Sequence, residues 1–376
     1  MSGLFFAFGA RAVHGCLESA LAGFSRRQGG FKAGYCLWQY RIRKSARTMI
    51  GPPDSRSRVE ESAAEPLDLH AAEPAQHAEQ RAPTRQVGEL EAERMRPYLP
   101  RAFQQHLLDD PAGPYWIAEG SAAFVDISGF TQLSEQLARK GREGAEQITD
   151  AIGGSFEPIL AVAYENGGGL LKFGGDGLLL WFHGEGHAER ACRAALLMRR
   201  VLQTVGRIEL RDAQVTLGIA QGVHSGRFHF FAVGTSHIEF LPVGPAWSRL
   251  VAMEREAGSG EIVVSPETAA SLASGSVGET KGPGVLLRGE APGDAGAWPL
   301  TDPPPVPPEA LVRCLSPAVR AHVLDGGGAP EHRPVTVAFI RFEATDALIE
   351  EHGPAAPGAA LRLQWTARRR DAAGMR

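Results

Sequence analysis

Two apolar segments that each carry one aspartate at a glycine-rich end constrain the fold of this chain most. The first reads Phe-Val-Asp-Ile-Ser-Gly-Phe-Thr at residues 124–131, and the second reads Leu-Leu-Lys-Phe-Gly-Gly-Asp-Gly at residues 170–177. The first segment predicts a buried strand that ends near Asp126 and opens into a turn. The second predicts a hairpin, because apolar residues flank the Gly-Gly-Asp-Gly tip on both sides.

The two aspartates, Asp126 and Asp176, have a joint interpretation and a separate one. Two carboxylates close together repel each other unless a cation lies between them. Two Mg2+ ions held in this way can act on both ends of a phosphoryl transfer. Taken singly, Asp126 can cap the following helix and Asp176 can supply an ordinary turn residue. The pairing of the two motifs favours the metal site.

The order of the predicted elements indicates the fold class. Apolar periodicity predicts helices at 131–139, 145–165, 188–205, 247–255 and 266–272, and strands at 121–127, 169–173, 178–182, 214–223, 228–233, 238–243 and 261–265. This order predicts an α+β fold, a ferredoxin-like βαββαβ plan with a C-terminal hairpin extension. In such a sheet the first strand and the later hairpin are antiparallel neighbours. Asp126 is therefore expected beside the hairpin tip that carries Asp176.

Composition limits the class of protein. The 376 residues carry a net charge of −4 with a pI near 6.3, so no basic surface for nucleic acid is predicted. The 4 cysteines are scattered, which argues against a disulfide framework or a zinc site and favours the cytoplasm. No apolar stretch is long enough to predict a membrane span.

The two aspartate motifs resemble the metal-binding signatures of the class III nucleotidyl (adenylate/guanylate) cyclases. The likeness continues at residues 218–226, 243–246 and 260–265. It is closest to the first of the two tandem catalytic domains in soluble, bicarbonate-responsive adenylate cyclases and their bacterial relatives. The resemblance implies conversion of ATP to 3′,5′-cyclic AMP and pyrophosphate with two Mg2+ ions, for which Mn2+ can substitute.

The resemblance also implies roles for individual residues. It assigns metal binding to Asp126, Asp176 and the backbone carbonyl of Ile127. It assigns the triphosphate to the turn that opens the next helix, where backbone N–H groups face an anion; this turn consists of Ser128, Gly129, Phe130 and Thr131. The other interpretation of the turn is a simple strand-to-helix connection with Phe130 in the core.

Lys172, four residues before Asp176, has three interpretations. In homodimeric adenylate cyclases a lysine at this place reads adenine. In the first domain of the soluble tandem enzymes the matching lysine serves a regulatory bicarbonate pocket. A salt bridge to a neighbouring acid is the third interpretation.

The chain departs from the family on the helix that normally supplies transition-state groups. The family's asparagine and arginine positions are occupied here by Ser248 and Ala252. Arg249 is about 60° away from residue 252 around a helix, so it is out of phase. The domain is therefore expected to bind metal but to need a second cyclase domain for catalysis. The alternative is a non-catalytic cyclase-homology module for dimerisation or ligand sensing; a diguanylate cyclase fits less well, because the hairpin at 174–178 lacks that family's motif.

The flanks predict the domain organisation. Residues 1–86 are expected to form a disordered basic N-terminus and linker, with a targeting or membrane-surface segment as the other interpretation. Residues 87–117 predict a helical lead-in, 118–300 the cyclase domain, and 301–333 a linker with one short helix at 311–324. Residues 334–376 resemble the truncated start of a second cyclase-like domain, in which Arg341 matches Asp126. The strand histidines, His224, His229 and His237, are expected to have hydrogen-bond partners.

Overall fold

The computed structural model describes residues 5–8, 88–129, 133, 137, 142–173, 177–210, 213–234, 237–273, 275–289, 298, 303–325, 338–341 and 344–355. The helices are α1 (Glu89–Met95), α2 (Arg101–Asp109), α3 (Arg142–Glu165), α4 (His187–Val205), α5 (Pro245–Glu256), α6 (Pro266–Ala270), α7 (Pro308–Cys314), α8 (Pro317–Leu324) and α9 (Thr345–His352). The strands are β1 (Phe5–Phe8), β2 (Tyr115–Ser128), β3 (Gly168–Phe173), β4 (Gly177–His183), β5 (Arg207–Leu210), β6 (Ala213–Thr216), β7 (Gly218–Val233), β8 (Glu239–Pro242), β9 (Ile262–Val264), β10 (Val277–Lys281), β11 (Gly284–Leu287) and β12 (Ala338–Arg341).

The central sheet has the strand order of a ferredoxin-like fold. Its path runs β10-β11-β9-β7-β2-β4-β3, with β8 also paired to β7. The four strands β7, β2, β4 and β3 are successively antiparallel, as the βαββαβ plan requires. Strand β9 is parallel to β7, and the β10–β11 hairpin extends the sheet beyond it. The predicted fold class and C-terminal hairpin extension are confirmed.

Each face of the sheet has its own apolar core. One face packs against α3 and α4, where Phe156, Ile159 and Met198 are buried. The other face packs against the lead-in helices, α5 and the C-terminal helices α7 and α8, around Phe103 and Trp247. Both faces of the central strands are therefore covered along most of their length.

The lead-in helices pack beneath the start of β2 through a stack of aromatic rings. Phe103 lies parallel to Trp116 with centroids 6.0 Å apart, and His106 stacks on the same indole at 4.0 Å. Phe240 of β8 joins the stack, 5.3 Å from Phe103. The single predicted helical segment is divided into α1 and α2, because Pro97 lacks the N–H that would continue α1 and the chain is extended at Leu99.

Two predicted boundaries differ from the structure. Residues 214–233 were expected to contain two strands interrupted near Gly226, but β7 runs unbroken from Gly218 to Val233. It pairs with β2 from Gly218 to Phe231, and Gly226 lies opposite Gly120. A side chain at Gly120 would collide with the indole of Trp181, so this glycine serves close packing. The expected helix at 311–324 is two helices, with Pro317 at the start of the second.

The chain ends contribute a small separate sheet. Four residues of the predicted N-terminal extension form β1, which pairs antiparallel with β12. The other residues before 88 lie outside the described residues, and the predicted domain boundaries stay predictions. Within the described part of the chain, no helix is both long and apolar enough to cross a membrane.

Candidate functional site

Asp126 lies at the open end of the central strand. Asp126 pairs with Gly177 of β4 on one side and with Ala220 of β7 on the other. Gly177 directly follows Asp176 in the sequence. Asp176 lies outside the described residues together with Gly174 and Gly175, so its position stays a prediction. The expected proximity of the first strand's end to the hairpin is confirmed at the level of the backbone.

The turn after β2 requires glycine. Gly129 has φ of 100°, a conformation that side chains with a Cβ rarely adopt, and its carbonyl accepts a hydrogen bond from the N–H of Leu133 at 3.1 Å. The neighbouring Ser128 is exposed, and the Ile127 side chain is fully buried. The turn thus anchors its apolar side and leaves a hydroxyl and backbone facing outward. Phe130 and Thr131 lie outside the described residues.

Lys172 forms an ion pair, which is one of its three interpretations from the sequence. Its Nζ donates to Glu239 Oε1 at 2.8 Å, and the two side chains are 23% and 24% exposed. His237 Nε2 lies 3.5 Å from the other oxygen of this carboxylate. Burial raises the pKa of Glu239, but the Lys172 ammonium and the His237 ring outweigh it and lower this pKa to about 2. Glu239 was not identified from the sequence.

A bulge in β3 determines the direction of the Lys172 side chain. Leu170 pairs with Leu180 and Lys172 pairs with Leu179, so Leu171 is an extra residue. In a regular strand with no bulge, Lys172 would share a face with Leu170, which packs against the core under α3 and α4. The bulge transfers Lys172 to the opposite face, toward Glu239. Sequence alternation alone does not reveal this change of face.

The α5 positions that the family uses in the transition state have ordinary partners here. Ser248 donates a hydrogen bond to Asp346 Oδ2 at 2.6 Å. Arg249 is 61% exposed and lies 3.3 Å from Glu267 of α6, so it faces away from Ser248. Ala252 is half-buried and offers no charge. The expectation that Arg249 is out of phase agrees with this geometry.

A buried polar network crosses the other end of the sheet and was not predicted from the sequence. Ser121 Oγ lies 2.8 Å from His187 Nδ1 and 2.6 Å from Ser225 Oγ, and His224 Nδ1 lies 2.8 Å from Ser265 Oγ. Burial lowers the pKa of His224 to about 4, so this ring is neutral near pH 7. The network joins β2, β7, α4 and the segment before α6, which fixes their relative positions.

The expectation for the strand histidines holds for two of the three. His224 and His237 have the partners described above. His229 differs, because its Nδ1 is buried and has no hydrogen-bond partner among the described residues. Its backbone carbonyl does accept a bond from Trp247 Nε1 at 2.8 Å. The unsatisfied nitrogen lies near Gly244, at the start of α5.

Comparisons with known proteins found adenylate cyclases that are similar to part of this chain. No family model matches the chain. Over 156 residues it is 28% identical to adenylate cyclase type 10 of Homo sapiens, and over 153 residues it is 28% identical to the Mus musculus protein of that name. Each match covers 39% of this chain and 9% of the relative, so the chain spans a small part of the curated relatives' length. The matches support a class III cyclase catalytic domain.

Solved cyclase structures are also similar to the chain. The adenylyl cyclase CyaB from P. aeruginosa is 21% identical, with 47% of this chain and 97% of that chain covered and a TM-score of 0.38. The guanylate cyclase domain of RhGC from Catenaria anguillulae, solved with GTP, is 19% identical, with 46% and 99% covered and a TM-score of 0.39. Because both TM-scores are below 0.5, the fold is assigned from the strand order of the central sheet.

The donors at the end of β2 fit a hard divalent cation. The Asp126 carboxylate and the Ile127 carbonyl are oxygen donors, which Mg2+ prefers. Within the described residues no group of three or more His, Cys, Asp or Glu side chains is arranged to hold a metal ion. Mg2+ in nucleotide sites is commonly bound through one or two carboxylates together with substrate phosphates. The residues present are compatible with a site of that kind.

Proposed function

We propose that this chain supplies the metal-binding half of a dimeric class III adenylate cyclase site. The substrate is ATP, and the products are 3′,5′-cyclic AMP and pyrophosphate. The observation that carries the proposal is the register of Asp126 opposite Gly177, next to the turn at Gly129. Asp176, the acidic residue of the second motif, directly precedes Gly177 in the sequence.

Each residue of the proposed site has a distinct task. Asp126 and Asp176, with the Ile127 carbonyl, would hold two Mg2+ ions. Bound there, the ions would favour loss of the ribose 3′-hydroxyl proton and neutralise charge on the triphosphate. The turn at 128–131 would direct backbone N–H groups at the phosphates, and the conformation of Gly129 permits their close approach.

The adenylate assignment draws on the named relatives and does not depend on Lys172. The curated relatives are adenylate cyclases by name. Lys172 Nζ lies 2.8 Å from Glu239 Oε1, and this ion pair both fixes the position of the ammonium and engages its charge. We expect Lys172→Glu alone not to confer use of GTP. A clear rise in GTP turnover or affinity in that variant would mean that Lys172 reads the purine.

A ligand-dependent stability measurement tests the metal half. Mg2+ or Mn2+ with ATP should raise the melting temperature of the full chain, because a ligand that binds only the native state stabilises it. Asp126→Asn and Asp176→Asn should each abolish the shift. Glu119→Gln is the matched control, since Glu119 is an exposed carboxylate on the same strand, several residues before its end. A metal-dependent shift that survives the Asp126→Asn/Asp176→Asn double substitution would support simple helix-cap and turn roles.

A second candidate function is a non-catalytic cyclase-homology module for dimerisation or ligand sensing. Ser248 and Ala252 favour it, because neither supplies the cation that stabilises developing phosphate charge. The two candidates predict different results when this chain is mixed with a complete second cyclase domain. Metal-dependent formation of cyclic AMP in the mixture, lost on Asp176→Asn in this chain, supports the enzyme. Nucleotide-dependent stabilisation without any turnover in the mixture supports the sensing module.

A further inference from the structure

Four buried hydroxyl groups form a continuous chain between two histidine rings. From β2 through β7 to the start of α6, they are Ser121, Ser225, Thr268 and Ser265, here called the hydroxyl chain. Successive oxygens in this order are 2.6, 2.9 and 3.2 Å apart. At one end, Ser121 Oγ lies 2.8 Å from Nδ1 of His187, the first residue of α4. At the other end, Ser265 Oγ lies 2.8 Å from Nδ1 of His224, which is buried on β7.

The number of available protons determines what the two rings must do. The five contacts comprise three between hydroxyls and one to each ring, but the four hydroxyls supply one proton each. The fifth proton must come from one Nδ1 atom.

The second Nδ1 atom cannot donate as well. If both rings donated, one oxygen of the hydroxyl chain would accept from both of its neighbours. Ser265 has no room for this, because the Thr268 backbone N–H donates to it at 3.3 Å and uses one of its two lone pairs. At each of the other three oxygens, the hydroxyl proton would lose its acceptor in the described part of the chain. When all five contacts are hydrogen bonds, one Nδ1 atom therefore carries a proton and the other accepts one.

The charges around His224 set the direction of the hydroxyl chain at neutral pH. Glu267 Oε2 lies 3.7 Å from His224 Nδ1. Burial raises the pKa of Glu267, but hydrogen bonds from its own N–H and from Ser265 lower it overall, so it is ionised. Its charge favours a proton on His224 Nδ1, and when Ser265 donates to this carboxylate, His224 must again be the donor to Ser265. Burial lowers the pKa of His224 to about 4, opposed by Glu267 and assisted by Arg249 of α5, so the ring is neutral. His187 Nδ1 is then the acceptor.

We propose that the hydroxyl chain couples the two rings, so that protonation of His187 forces the proton of His224 from Nδ1 to Nε2. A protonated imidazole has no acceptor, so His187 must donate from Nδ1 to Ser121. Each hydroxyl then donates to the next, and Thr268 takes the remaining lone pair of Ser265. Ser265 donates to His224 Nδ1, which must be without a proton. One proton is taken up in total: His187 gains it, and His224 exchanges a proton at Nδ1 for one at Nε2.

His187 is the ring that responds to the pH of the solution. It is half-buried, whereas His224 is 1% exposed. Burial is the largest influence on the pKa of His187 and lowers it from 6.5. The titratable or charged groups that face this ring are Glu119 of β2, His183 of β4, and Glu189 and Arg190 of α4. Because the pKa of His224 is about 4, the tautomer change takes place below pH 6.5 and above pH 4.

Nitrogen NMR of the full chain labelled with 15N-histidine tests the coupling without nucleotide or metal. The 15N shifts of each ring report which nitrogen carries the proton, and spectra of His187→Gln and His224→Gln assign the two rings. Near pH 7, His224 should carry its proton on Nδ1 and His187 on Nε2. As the pH falls and His187 titrates, His224 should change to the Nε2 tautomer over the same pH range. A His224 tautomer that stays constant while His187 titrates overturns the proposal.

Ser225→Ala interrupts the hydroxyl chain and keeps the contact at each ring. In this variant the tautomer of His224 should no longer follow the titration of His187. The pKa of His187 should rise by about half a pH unit or more, because its protonation no longer reverses a hydrogen-bonded chain. Ser155→Ala is the matched control and should change neither property, since Ser155 is similarly buried and donates to the Ala151 carbonyl within α3.

Thr268→Val interrupts the hydroxyl chain at a second place with little change in shape. It should reproduce the result of Ser225→Ala, so the test does not depend on the folding of one variant. A His224 tautomer change that persists in either folded variant, at the pH where His187 titrates, overturns the role of the hydroxyl chain. Neither measurement involves Asp126 or cyclic AMP formation, so the coupling stands or falls independently of the proposed function.

Discussion

The ion pair between Lys172 and Glu239 gives the sharpest quantitative prediction. The variant Lys172→Met keeps most of the apolar stem but removes the ammonium that lies 2.8 Å from Glu239. The carboxylate would then remain mostly buried, with the His237 ring 3.5 Å away as its remaining partner among the described residues. A buried charge that loses its partner destabilises the folded state, because its desolvation is no longer offset. We therefore expect Lys172→Met to unfold more easily than the native chain.

The shift in the pKa of Glu239 sets the expected size of the stability contribution. This pKa falls from 4.5 to about 2, and this difference corresponds to about 3 kcal/mol at neutral pH. Lys172 and His237 share the effect, so a coupling of about 2 kcal/mol between Lys172 and Glu239 is expected. Because the folded-state pKa is lowered, this contribution is fully present above about pH 4.5. It should be lost as the pH falls toward 2.

A double-mutant cycle measures the coupling. Free energies of unfolding in urea would be compared for the native chain, Lys172→Met, Glu239→Gln and the double variant. The Lys281–Glu261 pair is the control, because its side chains are 32% and 36% exposed. Its coupling should be under about 1 kcal/mol. Additive effects of Lys172→Met and Glu239→Gln would refute the structural ion pair. Weaker ATP binding in Lys172→Met with unchanged unfolding would instead identify Lys172 as a ligand group.

Three further predictions concern pH and backbone conformation. His224 has a folded-state pKa of about 4, below its ordinary 6.5. Its contribution to stability is therefore present above pH 6.5 and lost as the pH falls toward 4. The melting temperature should fall less steeply across this pH range in His224→Gln than in the native chain. Gly129 has φ of 100°, and an added Cβ would lie 3.1 Å from the Thr216 carbonyl. Gly129→Ala should therefore lower the free energy of unfolding by about 1–3 kcal/mol. Gly154→Ala on α3, where nothing lies within 4 Å of an added Cβ, should raise it by about 0.5–1 kcal/mol. Ala344→Gly should relieve its left-handed conformation and slow amide exchange in α9 by a few-fold, or about 0.5–1 kcal/mol.

Local pattern was sufficient to predict the core of the sheet. The apolar run before Asp126 and the glycine hairpin after it fix two neighbouring strands, and the helical periodicity between them fixes the crossover. From those elements the antiparallel placement of Asp126 near the hairpin follows, and the register opposite Gly177 agrees. The prediction succeeded there because each step depends on residues close together in sequence.

Contacts between distant segments were beyond the sequence patterns. Lys172 and Glu239 are 67 residues apart, and Ser248 and Asp346 are 98 residues apart. The bulge at Leu171, which turns Lys172 toward Glu239, leaves no trace in apolar alternation because both faces of β3 are covered. The unbroken β7 was missed for a related reason. Gly226 looks like a turn residue locally, but pairing with Gly120 decides its conformation.

The last prediction is that the isolated chain forms little or no cyclic AMP, even as a homodimer. In the proposed dimer, a second copy would place Ser248 and Ala252 opposite the proposed metal-binding residues. Serine can donate one hydrogen bond, but alanine cannot replace a cation, and Arg249 is engaged with Glu267 on the far side of α5 at 3.3 Å. By analogy with arginine contributions in phosphoryl transfer, the loss should be on the order of 10³ or more in rate. The assay is cyclic AMP formation with Mn2+ and ATP at high protein concentration, with and without a complete second cyclase domain. Robust turnover by this chain alone would contradict the division of roles between two domains, and Arg255, the other arginine of α5, would then be the first residue to substitute.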